Sequence, residues 1–285
     1  MNRSFNILLA HTALIVCLML PGLAGAEQFK IAIMQDQQGS AAKFKPLLDY
    51  LTKKGIQASF VAARDYPAAA QMFSAGQVDA MFSGSGIAGS MIIKELATPV
   101  ARPVDSDGIS TYWAVVIAAK GGAKFTGKAD YFNGKKVITT SLASAGEFFF
   151  RSLPGAAVST ATILKAESHG MALAALDKGQ ADFAIVKNHV WEKNKDKYPR
   201  LVQVGEDKGA NPDGTLIVSK KADQKTVAKV TAALLAVKDD ASVDAKAVKT
   251  GLGIQGYVKT TEKDFAHTLP MLKNAGVTKE FNFVL

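Results

Sequence analysis

The sequence predicts an α/β protein made of two similar lobes, and three observations carry that expectation. Short β-rich apolar runs alternate with segments whose apolar residues recur at 3–4 spacing, the pattern of parallel βαβ units. The stretch Ala75-Gly76-Gln77-Val78-Asp79-Ala80 recurs in the second half as Lys178-Gly179-Gln180-Ala181-Asp182-Phe183, and the flanking elements recur with it. Between the two sets lies Tyr112–Ala119, YWAVVIAA, wholly apolar and so expected to be a strand buried on both faces.

In the first set, Phe29–Met34 is predicted as a strand. Ala42–Lys54 is predicted as a helix, with Phe44, Leu47, Leu48 and Leu51 on one face and Gly55 as its stop. Ala58–Ala62 is the next predicted strand. Tyr66–Ala75 follows as a helix with Pro67 in its first turn, ended by Gly76. Val78–Phe82 is a third strand, Ile87–Glu95 a third helix, and a short strand is expected near Ala97–Val100.

After Tyr112–Ala119, glycines 121, 122 and 127 punctuate a loop. Then come predicted strand Lys136–Thr140, helix Ser144–Leu153, strand Thr162–Lys165, helix Gly170–Lys178, strand Phe183–Val186, helix His189–Lys195 and strand Leu201–Val204. Gly214–Ser219 is a further strand, and Ala222–Val237 a helix with the stripe Val227, Val230, Leu234 and Val237. Helices around Val243–Thr250 and Glu262–Asn274 end the chain.

The 285 residues, 48 % hydrophobic and 21 % charged, suffice for one large or two medium domains with a buried core. The first 26 residues are expected to stand apart. Arg3, the apolar run Ile7–Leu20, the breakers Pro21-Gly22 and the small-residue site Ala24-Gly25-Ala26 make a secretory signal peptide, with a retained anchor as the alternative. Cys17, the only cysteine, lies in that leader, so the mature chain has no disulfide, as suits a periplasm. The net charge of +9 drops by one with Arg3. Its lysines are scattered over solvent faces, which points to a solvated basic surface rather than to nucleic-acid binding. Such a field favours capture of a small anion.

Gly84-Ser85-Gly86-Ile87-Ala88-Gly89 is a literal G-x-G-x-x-G between a strand and a helix. Two strand–helix units precede it, whereas the dinucleotide fingerprint belongs to the first such turn. The acid that should follow is Asp105, beyond Pro103 in a turn-rich stretch. What remains is an anion-binding nest of N–H groups at a helix start, with Ser83 and Ser85 as hydroxyl donors, or glycines that only permit close packing. A second candidate nest is Ser141 to Glu147, where Ser144 and Glu147 also spell a capping box. Of Phe148-Phe149-Phe150, at least two belong to a core. His169 opens a helix, His189 follows the second echoed strand, and His267 is expected to be structural. No histidine pair has metal-ligand spacing with a supporting acid, and no G-x-S-x-G elbow is present. Tyr66 and Tyr112 are each either a core edge or a cleft aromatic.

These motifs, in this order, resemble the phosphate/phosphite/phosphonate-binding group of periplasmic solute-binding proteins that serve ABC importers. The residues are Asp65-Tyr66, Gly76 to Phe82, Tyr112 to Val116, Gly134-Lys135-Lys136-Val137 with the Ser-Ala-Gly turn, Ser168-His169 with Ala172 to Leu176, Gly179 to Asp182, and Gly253-Ile254-Gln255-Gly256-Tyr257. The resemblance implies a type II periplasmic binding fold: two α/β lobes, each a mixed sheet flanked by helices, joined by two crossing strands that serve as hinge. Lobe one is then 27–111 plus 211–285 and lobe two 112–210, with Asn211-Pro212-Asp213-Gly214 as the return crossing. It also implies a periplasmic location, a small anionic ligand and an inner-membrane permease as partners, and a monomer with no catalysis, cofactor, metal or nucleic acid. The expected ligand contacts are Tyr66, Ser83, Gly84, Ser85, Tyr112, Ser144, Ala145, Gly146, His169, Lys187 and Asn188.

Three departures bear on the ligand. The family's Ser-Thr-Ser-Gly turn is Ala143-Ser144-Ala145-Gly146 here, which removes two hydroxyls. The proline and tyrosine of its first cleft loop are replaced by Ser83 to Ile87. Lys187-Asn188-His189 stands where the family is acidic or amide-rich. A sensory subunit of the same fold feeding a membrane receptor is the alternative function, and an exported enzyme the weaker one.

Overall fold

The computed structural model describes residues 28–34, 40–64, 66–140 and 144–283. The leader 1–26, Asp65 and Ser141-Leu142-Ala143 lie outside them. The first half runs β1 (Phe29–Met34), α1 (Lys45–Lys53), β2 (Ala58–Ala63), α2 (Tyr66–Ser74), β3 (Ala80–Ser83), α3 (Ser85–Ile93) and β4 (Ala97–Asp105). A short β5 (Thr111–Tyr112) leads into β6 (Ala114–Ala119), β7 (Lys136–Thr140), α4 (Ala145–Ser152), α5 (Ala156–Ser159), β8 (Thr162–Ala166), α6 (His169–Asp177), β9 (Phe183–Lys187), α7 (Asn188–Asn194) and β10 (Leu201–Glu206). The chain returns through β11 (Asn211–Pro212) to β12 (Thr215–Ser219), α8 (Gln224–Ala236), α9 (Val243–Leu252), β13 (Ile254–Lys259) and α10 (Thr268–Asn274).

Two mixed sheets result. One has six strands in the order β13-β4-β12-β3-β1-β2, the other five in the order β10-β6-β9-β7-β8. They correspond strand for strand. β1 lies parallel between β2 and β3, as β7 lies between β8 and β9. β12 runs antiparallel to β3 and β4, as β6 does to β9 and β10. The two matching antiparallel strands, β6 and β12, are those that follow the crossings, so each sheet takes an interior strand from a chain arriving from the other. The crossing segments pair with each other, Asn211 opposite Tyr112.

The sequence echo has a physical cause. After α2 and after α6, Gly76 and Gly179 take left-handed φ of 70° and 73°, which a side chain disfavours. Asp79 then exchanges two hydrogen bonds with the start of the neighbouring strand. Its N–H donates to Lys30 O (2.9 Å), and its carboxylate accepts from Lys30 N–H (2.8 Å). Asp182 does the same with Lys136, at 2.8 and 2.7 Å. The repeated aspartate is a register clamp for a parallel strand pair.

The six-stranded sheet buries Leu47, Tyr50, Leu51, Val230 and Leu234 of α1 and α8 on one face. The five-stranded sheet buries Leu173, Leu176 and Trp191 of α6 and α7 on one of its faces. The remaining faces share a single core that includes Ile87, Met91, Phe148, Phe150 and Leu272. All three phenylalanines of the 148–150 run are buried there. Helix α10 packs on both α3 and α4, and its preceding His267 bonds Asp207 (2.9 Å) while Thr268 Oγ1 donates to Asn211 (2.8 Å).

Several boundaries differ from expectation. Tyr112–Ala119 is not one strand. Trp113 interrupts it, because its N–H and C=O are taken by Asn188 Oδ1 (3.1 Å) and Asn188 N–H (3.0 Å) instead of a ladder. The strand expected near Ala97–Val100 continues to Asp105, since β13, which was not foreseen, pairs along it. Helix α3 begins at Ser85, not Ile87. The single helix expected over Glu262–Asn274 is a 3-10 turn, Glu262–Phe265, followed by α10.

Asp79→Ala and Asp182→Ala should each lower the unfolding free energy by about 1 kcal/mol. The double variant should lose about the sum, since the two clamps share no partner. Urea denaturation measures this, and a double variant as stable as the parent would discard the clamp.

Candidate ligand-binding site

On the first crossing, Tyr112 meets the start of α3, just past the echoed strand β3, and the end of the other echoed strand, β9. Its ring is 1 % exposed. Its hydroxyl shares a 2.7 Å hydrogen bond with Ser85 Oγ at the start of α3, and Lys187 Nζ at the end of β9 lies 4.2 Å from the ring centroid. Tyr112 is a buried ring that joins the start of α3 to the end of β9.

Lys187 also forms an ion pair with Asp213 (2.7 Å), just past the second crossing. Burial pushes the Asp213 carboxyl up. The Lys187 ammonium, its hydrogen bond, His189 and the Gly214 N–H outweigh that and hold it below the ordinary aspartate range. His169, first residue of α6, borders the same group. Burial, then Lys187 and His189, push its pKa down to about 3 against the pull of Asp213, so it is neutral at physiological pH. Its Nδ1 is buried and has no hydrogen-bond partner among the described residues. Burial, then Lys187 and Lys193, lower His189 against the pull of Asp213 and Asp105, and its ring stands edge-on to Tyr112 at 6.4 Å.

Hydroxyls complete the site. Ser83 Oγ and Thr215 Oγ1 sit on directly opposed residues of β3 and β12, hence on one face. Both are buried without a hydrogen-bond partner among the described residues, as is Thr140 Oγ1 at the end of β7. A buried polar group left unpaired costs about 1–3 kcal/mol, so the opposed pair Ser83 and Thr215, two residues from Ser85 and Asp213 respectively, is a candidate place for an outside partner. Gly84, extended at φ −67° and ψ 163°, is the N-cap of α3, and the first turn of that helix presents its N–H groups beside Ser83.

The glycine run thus divides its labour. Gly84 opens the helix, whereas Gly89 faces α10: a Cβ there would stand 2.4 Å from Leu272 Cδ1. Gly89 is thus a packing glycine, while Gly84 stands at the helix start. Gly146 is likewise a packing glycine, with Ile185 O 3.0 Å from its Cβ position.

Ser144 caps α4 by accepting from Glu147 N–H (3.1 Å), but the capping box is only half formed. The Glu147 carboxylate, 0 % exposed, turns instead to Arg151 (3.0 Å) and Lys165. Ser144 lies at the cap of α4 and Gly146 packs on Ile185. Asn188 holds Trp113 in place rather than facing the cleft with a free amide oxygen. Tyr66 starts α2, and its side chain, like that of Ala145, lies outside the described residues. Asp213, Thr215 and Thr140 were missed. The signal for Asp213 was its place in Asn211-Pro212-Asp213-Gly214, the return crossing, which mirrors the Tyr112 crossing.

Because His169 binds a proton in the unfolded chain near pH 6.5 but only near pH 3 when folded, its contribution to stability is full above pH 6.5 and is lost as the pH falls toward 3. The slope from this one residue is at most about 1.4 kcal/mol per pH unit. Urea titrations between pH 7 and pH 4 should show a flatter decline for His169→Gln than for the parent, and parallel curves would refute the assignment.

The comparisons agree with this architecture. Residues 29–265 match the family described as the periplasmic substrate-binding protein of a phosphonate ABC transporter. No curated protein matches. Among solved structures, a Xanthomonas citri protein bound to chloride ion has TM-score 0.72 at 14% identity, covering 87% of this chain and 97% of its own. PhnD1 from Prochlorococcus marinus in complex with methylphosphonate has TM-score 0.68 at 14% identity, covering 87% and 98%. A binding protein component of an ABC phosphonate transporter from Pseudomonas aeruginosa has TM-score 0.67 at 16% identity, covering 89% of both chains. At these identities the structures speak for the fold: mixed α/β, two sheets, of the periplasmic binding type. With the family match spanning most of its length, the chain belongs to the phosphonate-binding family of periplasmic substrate-binding proteins, which capture solutes for ABC importers.

Proposed function

We propose that the cleft at the two crossings captures a small oxyanion (phosphate, phosphite or a phosphonate) and delivers it to an inner-membrane permease without chemical change. The observation that carries this reading is the convergence on Tyr112 of the start of α3, just past β3, and the end of β9, with the opposed buried hydroxyls of Ser83 and Thr215 unpartnered among the described residues. Hydroxyls and helix N–H groups bind oxyanions without a full opposing charge. The similarity to a structure holding methylphosphonate supports the same class.

The lobes in this proposal are 27–111 with 211–285, and 112–210. The membership of strands 29–105 and 215–259 in one sheet and 114–206 in the other supports that division. The paired crossings then form the hinge. An anion bound between the strand ends favours the closed arrangement by whatever extra contacts it makes there. The basic surface raises the local concentration of the anion before capture. Cleavage after Ala26 would release a monomer into the periplasm, which N-terminal sequencing and light scattering of the exported protein would check.

Thermal and urea unfolding with phosphate, phosphite and methylphosphonate should show one of them stabilising the protein by about 2.7 kcal/mol at a hundredfold excess over its dissociation constant. Ser83→Ala should weaken that anion by about 1.5–3 kcal/mol, roughly tenfold to a hundredfold. Stabilisation by none of the three sinks the oxyanion reading.

A further inference from the structure

We propose that Lys187 sets the specificity of this cleft by filling, from within the chain, a cage that would otherwise hold the cationic amine of a ligand. The inference rests on the oxyanion reading for the rest of the ligand. A carboxylate on one side and an aromatic face on the other is how proteins hold an ammonium group. Asp213 Oδ1 lies 2.7 Å from Lys187 Nζ, and the Tyr112 ring centroid lies 4.2 Å from it. Both walls are fixed independently of the lysine. The Tyr112 hydroxyl is bonded to Ser85, and Asp213 follows the β11 crossing and is bonded by the Gly214 N–H. The lysine reaches the cage from the last position of β9, with its side chain 21 % exposed.

Two consequences follow for the ligand. The ammonium and the carboxylate cancel, and His169 beside them is neutral, so an incoming anion meets hydrogen-bond donors and a dipolar pair rather than a bare cation. A ligand with its own amine finds the carboxylate already paired and the aromatic face already covered. The cleft therefore selects anions that lack an amine, and loss of the lysine side chain reopens a cation site while leaving the hydroxyl cluster untouched.

Lys187→Ala removes three methylenes and the ammonium, and n-propylammonium restores those atoms. In thermal unfolding, n-propylammonium chloride should raise the Tm of Lys187→Ala. It should leave unchanged the parent and the Lys187→Ala/Asp213→Asn double variant, with sodium chloride and n-propanol as controls. No rise for Lys187→Ala, or the same rise in all three proteins, overturns the proposal. A variant that folds only when n-propylammonium is present supports it.

A second arm uses calorimetric titration with ethylphosphonate and 2-aminoethylphosphonate, which differ by the amine alone. The parent should prefer ethylphosphonate by tenfold or more, and Lys187→Ala should reverse the order. Lys187→Met, which keeps the stem without the charge, should lose the preference. A parent that binds the aminated ligand as tightly overturns the proposal. If the parent binds neither phosphonate, the oxyanion reading stands or falls on phosphate and phosphite, and the n-propylammonium arm still decides the cage.

Discussion

The structure depends on a topological constraint: the chain must cross between the two sheets twice, because each sheet takes an interior antiparallel strand from the other half. The crossings are short and pair with each other, two residues against two. That pairing brings the start of α3, just past β3, and the end of β9 to one ring. It places Tyr112 on one crossing and Asp213 beside the other, so the groups that define the cleft are carried by the segments that join the lobes. Under the proposed function, ligand capture and hinge motion act on the same backbone, at the strand ends where sheets of this kind commonly hold ligands.

Around that point the protein keeps charge in balance and leaves hydroxyls unpaired. Lys187 is matched by Asp213, and burial keeps His169 neutral. Ser83 Oγ, Thr215 Oγ1 and His169 Nδ1 are buried there without a hydrogen-bond partner among the described residues. This differs from the buried Glu147, which is held by two cations behind the second turn and stabilises the start of α4. Both cations there meet Oε1 and leave Oε2 buried without a hydrogen-bond partner among the described residues, so the second arrangement differs in being held by the chain's own charges. The His267–Asp207 and Thr268–Asn211 bonds belong to the second kind, since they brace the return crossing from α10.

Much of this was legible in the one-dimensional pattern. Alternating periodicities define β1 to α3 and β7 to α7. The Gly-Gln-x-Asp echo marks the two halves because the same clamp, a carboxylate on the N–H that starts a parallel neighbour, is needed twice. The glycine run pointed to the site, but it could not say which glycine opened a turn and which admitted a neighbouring helix. That depends on α10, almost two hundred residues away in sequence.

What the sequence by itself determined were the local features: helices with their caps, the strands of both halves, the two crossings and the family to which they conform. Backbone propensity, side-chain periodicity and short-range hydrogen bonds act within a few residues, so they leave a readable trace. Only the tertiary structure decided that Lys187 faces Asp213 rather than solvent, that Tyr112 joins the start of α3 to the end of β9, and that Ser83 lies opposite Thr215. Those meetings join residues 26 to 132 positions apart. They are set by strand order and by the crossings, and sheet topology follows from how whole faces are buried against one another rather than from any local signal.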